Sequence, residues 1–167
     1  MRTATCVLVI ALLGATASHA AALQPIPALQ ARVTDLTGTL TATEQAALEQ
    51  KLAAFEARKG AQVAVLVVPT TAPEAIEQYS IRVVDAWKLG REKPDDGALL
   101  LVAKDDHALR IEVGRGLEGV LTDAMSRRII DDTMVPLLRQ GQLATAMRFS
   151  VPSSCDCRSR KFASDFS

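Results

Sequence analysis

The sequence predicts a single α/β domain, a small mixed β-sheet flanked by helices in the order helix, strand, helix, strand, strand, helix. Three observations carry this. Ala61–Val68 (AQVAVLVV) is apolar on both faces, as in a central strand covered on two sides. Ala108–Val113 (ALRIEV) alternates, with Leu109, Ile111 and Val113 facing one way and Arg110 and Glu112 the other, as in a half-exposed strand. Around these runs, apolar residues recur at helical spacing.

The first helix follows a proline-containing lead-in, Leu23–Ala31. Thr41 and Glu44 have the spacing of a capping box: the Thr side chain takes a free amide and the Glu reaches back. Leu48, Leu52 and Phe55 form the apolar face, and Gly60 stops the helix. Pro69 ends the first strand. The second helix opens at Pro73, buries Ile76, Val83, Val84 and Trp87, and ends at Gly90; Tyr79 and Trp87 are expected in the core. Gly97–Ala103 (GALLLVA) is the second strand, and Lys104–His107 is a turn into the third. A helix between the first two strands makes them parallel with a right-handed crossover, and the hairpin makes the third antiparallel. Thr122 or Asp123 caps a third helix that kinks at Pro136.

The chain ends set the domain boundaries. Residues 1–22 read as a signal peptide: Arg2 is the positive start, Cys6–Leu13 an apolar run too short to span a bilayer, and Ser18 and Ala20 the small residues of a cleavage site. The domain is placed at 23–147, and the Ser-rich, aperiodic 148–167 is read as a disordered or atypical tail. The protein is therefore expected in the periplasm or secreted, with no transmembrane segment in the mature chain. Cys155 and Cys157 are too few for a disulfide scaffold.

Charge narrows the function. Ala21–Ala146 holds 14 basic and 17 acidic residues. With no basic face and few aromatics, nucleic acid is not an expected partner. Gly114–Gly119 (GRGLEG) matches G-x-G-x-x-G, but no further strand follows it and Asp131 and Asp132 fall inside the helix. It is read as a tight change of direction, not a nucleotide site. His107 is a turn residue, which leaves a Ser-His-Asp triad without support.

Acidic residues are the candidates for chemistry, because hard cations take oxygen ligands gathered from several loops. Topology groups Asp35, Asp105 and Asp106 at one edge of the sheet. Asp95, Asp96, Glu118 and Asp123 fall toward the other. The candidate metal ligands are thus Asp35, Asp96, Asp105, Asp106, Glu118 and Asp123. Each is otherwise a turn residue or helix cap.

The segments VTDLTGTLTATEQAALEQKLAAFEARKGAQVAVLVV, DAWKLG and DDGALLLVAKDDHALRIEVGRGLEGVLTD, with the helix holding Pro136, resemble the TPM domain. That family takes its name from thylakoid lumen, photosystem-associated and nematode members and is abundant among exported bacterial proteins. The resemblance covers Val33 to Met147. It implies an α/β fold, divalent-cation binding and, for some members, acid-phosphatase-like activity. By position Asp35, Asp96, Asp105, Asp106, Glu118 and Asp123 match the family's acidic pattern. The chain departs at His107, where the family usually has Arg. Two functions follow as expectations: a Ca2+-binding interaction or assembly module with an envelope or membrane protein partner, Mg2+ being the alternative ion, or a metal-assisted phosphomonoester hydrolase.

Overall fold

The computed structural model describes residues 22–150. Four strands form one sheet in the order β1 (Val33–Asp35), β2 (Gln62–Val68), β3 (Gly97–Ala103), β4 (Ala108–Val113). The first three are parallel and β4 is antiparallel to β3. Between them run α1 (Ala42–Lys59) and α2 (Ile76–Trp87); α3 (Asp123–Arg128), a π-helical stretch Ile129–Met134, α4 (Val135–Arg139) and α5 (Leu143–Ser150) follow. The mixed α/β class is as the sequence indicates. The expected signal peptide, up to residue 21, and the tail beyond Ser150 lie outside the described residues.

β2 and β3 explain the layering. Almost every residue in them is buried, so both sheet faces need cover. Val65, Val67, Leu100 and Val102 pack under α1 and the C-terminal helices. Ala64, Leu66, Leu99 and Leu101 pack under α2 through Tyr79, Val83 and Trp87. The strands advance in one direction while α1 and α2 lie on opposite faces. The two crossovers therefore have opposite hands, so one of them departs from the usual right-handed rule.

Local chemistry fixes the ends of these elements. Thr41 and Glu44 form the capping box, with the Thr41 amide donating to Glu44 Oε2 at 2.9 Å, and Gly60 takes the left-handed conformation at φ 76°. Strand β1 has three residues, too few for a periodic signal. It is held where Val33 N–H donates to Glu49 Oε2 at 2.9 Å and Arg32 pairs with Glu56. The lead-in is pinned across α2: Tyr79 Oη donates to Pro25 O at 3.0 Å and Trp87 Nε1 to Pro27 O at 2.7 Å. Both rings thus meet the need of a buried aromatic with a polar tip. The sequence kink at Pro136 becomes a π-helical turn. Pro lacks an amide hydrogen and crowds the carbonyl one turn back, and the wider turn accommodates both.

The G-x-G-x-x-G segment is explained by close approach. A Cβ on Gly114 would lie 2.3 Å from Asp95 O, and one on Gly116 2.2 Å from Pro94 O, whereas Gly119 has open space. The glycines let the 94–96 loop close over the end of the hairpin, where Gly116 N–H donates to Asp95 O at 3.0 Å. Gly116→Ala should cost about 1–3 kcal/mol of stability, and Gly119→Ala less than about 0.5 kcal/mol. Urea denaturation of the two variants checks this.

Candidate functional site

At the carboxyl ends of the parallel strands stand Asp35, Asp105 and Asp106. Asp35 closes the loop from β1 to α1. Its Oδ1 accepts from Thr37 N–H at 2.8 Å and Thr37 Oγ1 at 2.7 Å, and its Oδ2 from Leu40 N–H at 2.7 Å. Burial works to raise its pKa, but these donors outweigh it and hold the carboxyl below the usual range. Asp106 ties the β3–β4 turn to the end of β2. It accepts from Thr71 N–H at 2.8 Å and Thr70 Oγ1 at 2.7 Å, which also hold it below the usual range. Asp105 is exposed, and its amide donates to Pro69 O at 2.8 Å. Asp35 is in register with Val67, and Val67 with Val102. That places Asp35 two strands, about 10 Å, from β3, and Asp105 lies three residues beyond Val102.

At the opposite end, Asp96 is 4% exposed and engaged by Arg91. The Arg91 amide donates to Oδ1 and its Nε to Oδ2, both at 2.9 Å, with a second guanidinium nitrogen on Oδ2. This pairing holds Asp96 below the usual carboxylate range against its burial. Neighbouring Asp95 takes a left-handed φ of 62° and accepts from Arg115 N–H at 3.1 Å. Glu118 and Asp123 are exposed and line a polar cavity of about 370 Å3 with Arg110, Glu112 and Thr122. Glu112 is already engaged by Ser80 Oγ and Arg110 Nε, each at 3.0 Å. Thr122, not Asp123, caps α3, accepting from Met125 N–H at 3.3 Å.

The sequence profile of the TPM domain matches residues 33–152. The chain belongs to the TPM domain family. Its fold is similar to the N-terminal domain of a P. gingivalis protein, with 32% identity over 72% of this chain and 76% of that one and a TM-score of 0.66. It is also similar to the N-terminal domain of a Corynebacterium glutamicum protein (18% identity, 81% and 90% coverage, TM-score 0.60). The BA42 protein of the psychrophilic bacterium Bizionia argentinensis gives 18% identity, 71% and 81% coverage and a TM-score of 0.61. No curated protein matches the sequence.

In this TPM domain the six acids do not form one centre. Asp35, Asp105 and Asp106 share one end of the sheet, and Asp96, Glu118 and Asp123 the other. Among the described residues no three acidic, histidine or cysteine side chains are grouped to hold a metal ion. Asp35, Asp96 and Asp106 spend their lone pairs on loop donors. Within the described residues, no side-chain hydrogen bond engages Asp105, Glu118 or Asp123. Sequence reasoning missed Arg91 as the partner of Asp96. It also missed the pairing of Arg110 with Glu112, although the alternation of β4 already set both on one face. No helix in the described residues is long and apolar enough to cross a membrane.

The lowered Asp96 pKa has a definite sign. Its stabilisation is fully present above the unfolded value of about 4 and is lost as pH falls through the lower folded value. Asp96→Asn should cost about 1–3 kcal/mol at pH 7, and the gap to the parent should narrow below pH 4. Denaturant titrations at pH 7 and pH 3 check both statements.

Proposed function

We propose that this TPM domain works outside the cytoplasm, in the periplasm or after secretion, as a non-catalytic module that binds an envelope or membrane protein. In this reading Ca2+, with Mg2+ as the alternative, steadies one of its acidic loops. The observation that carries the reading is the sharing of a single polar cavity by Glu118 and Asp123, whose carboxylates are not spent on the loop itself. Ca2+ takes six to eight oxygens, so two carboxylates plus water describe a weak site. The six acids together do not fit a closed cage. The N-terminal Arg2, the apolar Cys6–Leu13 and the small residues at Ser18 and Ala20 support export.

Metal-assisted phosphomonoester hydrolysis is the second reading, supported by the family resemblance. It places the ion at Asp35, Asp105 and Asp106. Two of those three already accept hydrogen bonds from Thr37, Leu40, Thr70 and Thr71, which leaves few oxygen lone pairs for a cation.

Calorimetric titration of the mature protein with Ca2+ separates the two. We expect a dissociation constant of about 0.1–1 mM, in the range of extracellular modules. Glu118→Gln with Asp123→Asn should weaken binding about tenfold, and Asp105→Asn should leave it unchanged. Binding lost in Asp105→Asn instead, together with metal-dependent hydrolysis of p-nitrophenyl phosphate, would establish the hydrolase reading.

A further inference from the structure

At the end of the sheet opposite the Glu118–Asp123 cavity lies a groove of about 570 Å3 between the β3–β4 turn and the C-terminal helices. Its floor is apolar: Val102 and Leu109 from the strands, Val135 and Leu138 from α4, and Leu143 from α5. Leu109, Val135 and Leu138 are only partly buried, so the floor keeps apolar surface open to solvent. The lip is cationic, formed by exposed Lys104 and Arg139, and His107 of the β3–β4 turn also lines the groove. Among the described residues, Lys104 and Arg139 make no salt bridge, and no carboxylate lines the groove. Of the two acids in the turn, Asp106 is directed to Thr70 and Thr71, and neither Asp105 nor Asp106 lines the groove. His107 is held at a left-handed φ of 52°, a conformation that costs a non-glycine residue energy and recurs at ligand sites.

From this pairing of apolar floor and unpaired cations we infer that the groove binds a small molecule with an apolar chain and a single carboxylate, a medium-chain fatty acid being the simplest member of the class. The volume falls within the range of small-ligand sites. The chain lies on Leu109, Val135 and Leu138, and the carboxylate meets Lys104 and Arg139 at the lip. A neutral apolar ligand leaves the two cations unanswered, and a bare anion leaves the floor exposed. The site is independent of the cation reading, since the two cavities lie at opposite ends of the strands.

The test is an amide-resolved NMR titration of the whole mature protein with octanoate, 1-octanol and acetate. Octanoate should shift the amides of Leu109, Leu138 and Gly141 and bind at least about threefold more tightly than either control. Lengthening from hexanoate to octanoate should tighten binding, by up to about fourfold per methylene. Lys104→Gln with Arg139→Gln changes two exposed residues and leaves the core intact. It should weaken octanoate binding about three- to tenfold and leave 1-octanol unaffected. Equal binding of octanoate and octanol, equal binding of octanoate and acetate, or shifts confined to another face would each overturn the inference. So would an octanoate affinity unchanged in the Gln variant.

Discussion

The burial of β2 and β3 on both faces is the constraint on which the rest of the structure depends. A strand with apolar side chains up and down cannot sit at the surface of a two-layer sandwich. Helices must therefore cover both faces, and α1 and α2 divide the task. The divided cover explains the opposite hands of the two crossovers. It also explains the lead-in strap, whose carbonyls meet the Tyr79 and Trp87 tips on the α2 face. On the other face the core is completed by Met134, Leu143, Ala146 and Met147 from the helices that follow β4. Packing of the central strands thus commits both ends of the domain.

Once the strands are fixed, loops at their two ends must change direction over short distances, and the acids organise them. Asp35 gathers the amides of the β1–α1 loop, Asp106 joins the hairpin turn to the end of β2, and Asp96 anchors Arg91 ahead of β3. Each carboxylate satisfies backbone donors that the turn would otherwise leave open. Close backbone packing at Gly114 and Gly116 then locks the 94–96 loop against the hairpin. Among the described residues, two of the hollows this leaves lie apart, one polar and one apolar with a cationic lip.

Much of this was legible in the sequence. The apolar runs of β2 and β3, the alternation of β4, the capping box at Thr41 and the stop at Gly60 all signal through local residue pattern, and the structure follows them. Strand β1 was not legible because three residues carry no period. The π-helical turn was not, because Pro136 announces a disturbance without stating its form. The role of the acids was partly legible: order along the chain told which end of the sheet each approaches. It could not tell that Asp35, Asp96 and Asp106 would be consumed by donors, because Thr37, Arg91 and Thr71 become partners only through loop geometry. The groove between Leu109 and Leu138 joins segments far apart in sequence, and no local signal marks it.

The central claim is that the acidic residues divide into loop-builders and available ligands. Carboxyl-carbon NMR of the Asp and Glu side chains, recorded with and without Ca2+, tests it most directly. The account requires Glu118 and Asp123 to shift on adding Ca2+ while Asp35, Asp96 and Asp106 stay fixed. A shared response of Asp35, Asp105 and Asp106, with Glu118 and Asp123 silent, would contradict it and move the ion to the other end of the sheet.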